Sequence, residues 1–286
     1  MIKIGSSRIR VGKVVVYTLL CMLVVANVFP FYSAVTTAFK PRGDILKVPP
    51  DVFPSPPTLE HFRNLLVARH SESGTLSFGI WYLNSVRQVV IAVPVTVFFA
   101  SLGGFIFAKL AFWGKDILFM GLLATMMLPF IVLMIPMVMI AGGLGVADTT
   151  WGLVLPFVVQ PFAIYLVRQH METIPDDLMD AARMDGATNW QIYTQMMLPL
   201  SKTVLSAVAI FYFLHNWNNL LWPMVTLYHE ENYTLPVGVA SFAGEYVQDF
   251  GRATAAAVLM MLPTVVVFLI FQRGITEGIA LTGLKG

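Results

Sequence analysis

The residues able to do chemistry in this chain are few, and most fall outside any catalytic pattern. The five histidines, His61, His70, His170, His215 and His229, are scattered along it. No H-E-x-x-H, nucleophile elbow or Asp/His cluster accompanies them. The one cysteine, Cys21, excludes an internal disulfide and any multi-cysteine metal or redox centre. It lies in an apolar run, where a small packing role is expected. No G-x-x-x-x-G-K-[ST] phosphate loop occurs, so ATP binding of the P-loop kind is not expected, and neither is a cofactor or metal on this chain. Two polar groupings remain. One is the string Asp180, Ala181, Ala182, Arg183, Asp185 and Gly186, followed by Leu198 and Pro199. The other is Tyr212, His215, Asn216 and Asn219, which at about 100° per residue share roughly a third of a helix circumference inside an apolar run.

The elements that must position these groups are transmembrane helices. With 57% hydrophobic and 12% charged residues and a mean hydropathy of +0.74, the chain is far more apolar than a soluble domain, which averages about 25% charged. Six apolar stretches can be marked, at approximately 14–39, 84–110, 117–140, 151–167, 203–225 and 254–271. Each is near the about 20 residues that a span requires. The predicted fold is therefore an all-α polytopic membrane protein of six spans, a single domain over 1–286. Lys3, Arg8, Arg10 and Lys13 precede the first run, which is too long for a signal-peptide core of about 7 to 15 residues, so an uncleaved anchor is expected. A net charge of +2 gives no reason to expect nucleic acid.

Basic residues are retained on the cytoplasmic side during insertion. They cluster at the N-terminus, after the second run (Lys109, Lys115), after the fourth (Arg168, Arg183, Lys202) and in the tail (Arg273, Lys285). These segments, with both termini, are expected to be cytoplasmic. The connection at 142–150 has no Lys or Arg and that at 228–253 has only Arg252, so both are expected outside. The segment at 40–83, also external in this scheme, runs against the trend with Lys40, Arg42, Lys47, Arg63 and Arg69 against four acids. Pro94, Pro129, Pro136, Pro156, Pro161, Pro223 and Pro263 are expected to kink helices, which neighbouring helices in a membrane tolerate.

The 34 residues of 168–201 are too polar for a span and too patterned for an idle loop. Pro175 suits a first helical turn, Asp176 and Asp177 complement the positive end of its dipole, and Gly186 supplies a left-handed stop. Ile174, Leu178, Ala181 and Ala182 are placed on one side. Thr188 and Gln191 make a capping box for a second short helix, predicted to end at Leu198 before Pro199. Two readings follow: an amphipathic segment resting on lipid headgroups, which this physics slightly favours, and a docking element for another protein.

The string Asp180-Ala181-Ala182, three residues, Gly186, nine residues, Met196, one residue, Leu198-Pro199 resembles the EAA loop of ABC importer permeases, E-A-A-x3-G-x9-I-x-L-P. Asp180 replaces Glu and Met196 replaces Ile, both conservatively. Pro30-Phe31 with Thr37-Ala38-Phe39-Lys40-Pro41, Asn84-Ser85, Trp217-Asn218 through Trp222-Pro223, Tyr233 to Gly238 and the closing Gly283-Leu284-Lys285-Gly286 are similar to the second permease of the maltose-type carbohydrate importers. The resemblance covers almost the whole chain. It implies a non-catalytic permease for a sugar in a bacterial or archaeal inner membrane. The implied partners are a homologous second permease, two ATPase subunits that carry ATP and Mg, and an external solute-binding protein. By the same resemblance the segment at 168–201 is the coupling helix loop, seated in an ATPase cleft through Asp180, Ala181, Ala182, Arg183, Asp185, Gly186, Leu198 and Pro199, and the C-terminal tail touches the same ATPases. Polyols and glycerol 3-phosphate are solutes of related systems.

An ion-coupled secondary transporter is the rival of another class, but such coupling usually places ionisable groups at membrane depth. No Asp or Glu falls within the six runs, where His215 is the ionisable residue well inside and Arg87 lies near an end. For Tyr212, His215, Asn216 and Asn219, two roles fit about equally: lining a translocation path with hydrogen bonds to sugar hydroxyls, or hydrogen bonding between helices. In either case Trp217 and Asn218 are expected to point elsewhere and serve packing.

Overall fold

The computed structural model describes the backbone of residues 5–67, 77–245 and 250–283, and the side chains of 12–67, 78–241 and 250–271. The closing Leu284 to Gly286 of the tail motif and residues 68–76 of the 40–83 segment lie outside the described residues. Among the described residues the regular elements are all helices. Three helices are long and apolar enough to cross a membrane, and the number rises to 6 if each of three bent pairs counts as one span.

The chain divides into two compact units, residues 1–68 with 242–261, and 69–241 with 262–286. In the first, α1 (Gly5–Ala38) is one helix of 34 residues. It is apolar all round, so no face is selected for an internal core, and none of its most apolar window is buried within the chain. Cys21 is exposed on it, so the expected packing role is not found within this chain. The Thr37 to Pro41 motif turns the chain back. Thr58 N–H donates to the Phe39 carbonyl at 2.8 Å, and the buried His61 of α2 (Glu60–Val67) lies 2.8 Å from the Lys40 carbonyl.

The second unit is built on α3 (Ser77–Lys109), which begins before the predicted run and packs along α7 (Pro161–Glu172). Close approach is possible because Gly103 and Gly104 face α7. A Cβ on Gly104 would stand 2.6 Å from Val167 Cγ1, and one on Gly103 3.1 Å from Ile164. Small residues at such contacts let membrane helices gain dispersion energy across their backbones.

The third to fifth apolar runs are not straight spans. α4 (Lys115–Thr125) and α5 (Phe130–Gly143) meet at 99°, and the pair made of α6 (Thr150–Val154) with its 3₁₀ extension and α7 bends by 45°. Pro129 and Pro161 stand at these breaks, Pro129 just before α5 and Pro161 as the first residue of α7, where a missing N–H leaves nothing to satisfy. Pro94, Pro136 and Pro263 lie inside continuous helices instead. The fifth run ends its main helix, α11 (Lys202–Trp217), at Asn218 and resumes as α12 (Leu221–Thr226). Asn218 Nδ2 donates back to the Leu214 carbonyl at 2.9 Å, and Asn219 Oδ1 accepts from Trp222 N–H at 3.4 Å. The Asn218 amide adds to the bond that its own N–H makes to Leu214, and the Asn219 oxygen replaces the carbonyl that Trp222 N–H would meet in a continuous helix. The remaining helices are α13 (Leu235–Glu245) and α14 (Phe250–Gly283).

Candidate functional site

The segment at 168–201 is folded as its local chemistry requires. α8 (Asp176–Met184) opens directly after Pro175, with Asp176 and Asp177 in its first turn. It closes with Gly186 at φ 83°. Gly186 N–H donates to the Arg183 carbonyl at 3.0 Å and Ala187 N–H to the Ala182 carbonyl at 2.9 Å, the paired bonds of a Schellman stop. The capping box of Thr188 and Gln191 is present and starts α9 (Asn189–Gln191).

The second helix does not end at Leu198. It continues through a π-helical stretch at Ile192–Met197 into α10 (Leu198–Leu200), and the bend of 76° comes before α11. The wider turn, with Leu198 N–H bonded to the Tyr193 carbonyl, accommodates the ring of Pro199, which would crowd the carbonyl four residues back in an ordinary α-helix.

The four residues placed on one side of α8 divide between two. Ile174 is buried and Ala182 is half-buried against a core that includes Met179, Ile192, Tyr193 and Met197 from this segment and Ala100, Phe105 and Val167 from α3 and α7. Leu178 and Ala181 are exposed, together with Met184, which is 89% exposed. Asp180, Arg183, Asp185, Gly186 and Pro199 are also exposed, while Met196 and Leu198 pack on the core. Asp180 and Arg183 pair with each other at 3.0 Å, a surface contact worth little by itself. α8 therefore presents an apolar strip of Leu178, Ala181 and Met184 with charged residues beside it. Met179 and Met184, which local periodicity did not single out, mark its inner and outer sides.

Two cations attach this segment to the bundle. Lys109 Nζ donates to the Ile174 carbonyl and to Asp176 Oδ1, each at 2.6 Å. The Lys109 hydrogen bond holds the Asp176 carboxyl below the usual carboxylate range. Arg168 Nε donates to the Phe107 carbonyl at 3.1 Å and its guanidinium lies 4.0 Å over the Phe119 ring. In the sequence both residues read only as topogenic charge.

The polar face of the fifth run is split as well. Tyr212 and Asn216 are buried within the chain. Tyr212 O–H donates to Gln160 Oε1 at 3.4 Å, Asn216 Nδ2 donates to the Tyr212 carbonyl at 2.8 Å, and Gln88 Nε2 donates to Asn216 Oδ1 at 3.5 Å. These two serve hydrogen bonding between helices of the same chain. His215 and Asn219 instead line a cavity of about 430 Å³ with Asn218, Leu214, Leu220, Leu221, Phe130 and Phe157. Asn218 is thus not the packing residue expected, whereas Trp217 is, being 1% exposed and stacked on Phe213 at 5.9 Å.

Residues 100–280 match the family model of the binding-protein-dependent transport system inner membrane component. The chain belongs to this family. It is also 32% identical over 283 residues, 98% of this chain and 99% of the relative, to the arabinooligosaccharides transport system permease protein AraQ of Bacillus subtilis. It is 29% identical over 268 residues, 92% of this chain and 94% of the relative, to the sn-glycerol-3-phosphate transport system permease protein UgpE of Escherichia coli. In fold it is similar to a chain of a bacterial ABC transporter involved in the import of the acidic polysaccharide alginate, with a TM-score of 0.82 at 23% identity, covering 95% of this chain and 99% of that one. As an inner membrane component of a transport system, the chain is a permease subunit and not an enzyme.

In this permease the remaining motif residues hold one end of the bundle together. Asn84 Nδ2 donates to the carbonyls of Glu231 and Tyr233 at 2.8 and 3.0 Å, and Ser85 Oγ accepts from Leu235 N–H at 2.7 Å. Gly238 then lies against the buried Trp81, whose ring a Cβ would approach to 2.1 Å. Asp148, at φ 59°, accepts from the N–H groups of Tyr228 and His229 at 2.8 and 3.2 Å and pairs with the His229 ring. Burial pushes the Asp148 carboxyl up, but the bonds from His229, Tyr228 and Asn232 outweigh it and hold it below the usual range. The same pairing raises the His229 imidazole. The contact is therefore lost as pH rises through the raised histidine pKa or falls through the depressed aspartate pKa. Sequence reading missed this junction, because its partners lie 81 residues apart in two loops with no shared pattern.

Proposed function

We propose that this permease is one of two in an ATP-driven importer of a di- or oligosaccharide, and that α8 is the helix that docks on an ATPase subunit. The reading is carried by the apolar strip of Leu178, Ala181 and Met184, left uncovered on a helix whose other side is anchored in the core. Two ATPase subunits carry ATP and Mg and close on this helix in each permease. Their closure opens the path between the permeases to each face in turn, and an external binding protein delivers the solute. A sugar is supported by the name of the AraQ relative and by the cavity below the Asn218 break, whose neutral amides and aromatic rings suit hydroxyls and ring faces of a saccharide. The UgpE relative points to glycerol 3-phosphate as the second reading, yet among the described residues the cavity is lined by no Lys or Arg to meet a phosphate. Uptake by the complete complex in proteoliposomes, measured against pentose and hexose oligosaccharides, a polyol and glycerol 3-phosphate, is expected to be ATP-dependent and greatest for an oligosaccharide. Preference for glycerol 3-phosphate would overturn the sugar reading.

In this assembly each of the six apolar runs crosses the bacterial or archaeal cytoplasmic membrane once, with both termini and 168–201 cytoplasmic. The Lys and Arg distribution supports that orientation. Val48 and Met184, each 89% exposed, provide the test. In a Cys21→Ser background, Val48→Cys is expected to react with a membrane-impermeant thiol reagent from outside and Met184→Cys only from the cytoplasmic side. Labelling of both from one side contradicts the orientation.

A further inference from the structure

Lys109 is the last residue of α3, and its side chain is 4% exposed, whereas that of its partner Asp176 is 78% exposed. An ammonium removed from water needs its donors satisfied. Here the Ile174 carbonyl, just before α8, and the Asp176 carboxylate, at its first position, each accept at 2.6 Å. The carbonyl is fixed by the backbone of the α7 to α8 turn, so the amine is seated on that turn and not on one mobile side chain. If α8 moved away from α3 by the length of one hydrogen bond, a buried ammonium would be left unpaired, a far larger penalty than the surface pair of Asp180 and Arg183 could impose. A second tie lies about two turns back along α3. The hydroxyls of Ser101 on α3 and Tyr193 in the π-helical stretch lie 2.7 Å apart, both residues buried. Towards α11 the chain bends by 76° at Ser201, and the contact there is apolar, with Val204, Leu205 and Val208 of α11 on the core that holds Met179, Ile192 and Met197.

We propose that Lys109 is a positioning residue for energy coupling, which locks the docking helix to the end of α3 so that displacement of α8 enters α3 directly and not by way of α11. The inference rests on the reading of α8 as the ATPase-docking helix. In this arrangement α3 and the segment at 174–197 are tied by polar contacts and travel as one body, and α11 follows through its apolar packing on the same core.

The test uses the complete complex in nanodiscs, in a Cys21→Ser background, with spin labels on Asp177→Cys of α8 and Phe98→Cys of α3. Both native residues are exposed on their helices. With native Lys109 the distance between labels is expected to be the same without nucleotide and after trapping with ATP, Mg and vanadate. With Lys109→Met it is expected to change on trapping by about 2 Å or more, the scale of helix shifts in switching proteins. Lys109→Arg, which keeps a charged donor able to reach both acceptors, is expected to restore the unchanged distance, which a purely space-filling role would not explain. An unchanged distance in Lys109→Met, or a changed one with native Lys109, overturns the proposal. Should Lys109→Met fail to assemble, Asp176→Asn, altered on the exposed side of the pair, is expected to show a smaller shift in the same direction, and no shift there overturns it equally. Failure of the docking reading is seen separately. Met184→Asp would then retain its ATPase subunits, whatever the label distances show.

Discussion

Gly186→Val and Met184→Asp are each expected to bring ATP-driven uptake to background while the permease still reaches the membrane. The two act by different routes. Gly186 sits at φ 83° with nothing within 4 Å of where a Cβ would be, so valine meets no clash and the cost is conformational. A left-handed residue bearing a Cβ costs roughly 1 to 2 kcal/mol, and β-branching adds to it. The Schellman bonds from Gly186 and Ala187 are then strained, and α8 is released from its angle to α9. Met184→Asp leaves the fold alone, because the side chain is on the surface, but places a charge on the strip proposed to enter the ATPase cleft. Purification of the complex is expected to lose the ATPase subunits from Met184→Asp, and to retain them with uncoupled hydrolysis in Gly186→Val. Ala182 is a poor site for the same test. Half-buried against Met179 and its neighbours, an aspartate there would disturb the core and the docking surface together. Normal uptake in both variants would show that α8 is only part of the bundle surface.

Gly104→Val is expected to lower the yield and the unfolding temperature of the detergent-solubilised permease more than any surface change. The Cβ alone would lie 2.6 Å from Val167 Cγ1, 2.8 Å from Val167 Cβ and 3.1 Å from the Arg168 backbone nitrogen. The first two belong to a fully buried residue and the third to the backbone, so neither neighbour can rotate away. Overpacking of this kind costs about 1 to 3 kcal/mol, and here it also separates α3 from α7, whose contact carries Arg168 and the seat of Lys109. Gly104→Ala is expected to be milder but measurable, and Gly121→Ala, at a position with nothing within 4 Å, serves as the silent control. A thermal unfolding curve for each variant, followed by tryptophan fluorescence, decides it. Equal midpoints for Gly104→Val and the native chain would mean that α3 and α7 are not packed this closely.

Local chemistry carried much of this protein in its sequence. Long apolar runs without acids demand a membrane, since no soluble core could absorb them. Pro175, the paired aspartates, Gly186 and the Thr188 capping box define α8 and its joint through contacts no more than a few residues apart, and all of them are present. What the sequence did not reveal depends on distance along the chain or on a choice between equal faces. Apolar residues occur on both sides of α8, and only the position of α3 and α7 decided that Ile174 and Ala182 turn inward while Leu178, Ala181 and Met184 turn out. The face of Tyr212, His215, Asn216 and Asn219 was legible as polar, but its division into a buried network and a cavity lining came from Gln88 and Gln160, 128 and 52 residues away from their partners. The break at Met126 to Pro129 interrupts a run of uniform hydropathy, because hydropathy records solvent preference and not helix continuity, whereas the break at Asn218 falls in the polar stretch His215 to Asn219. Lys109 reads in sequence as one more basic residue at a membrane end. Its burial, and its hold on a turn 65 residues later, exist only once the chain has folded and an ammonium without water must find its acceptors there.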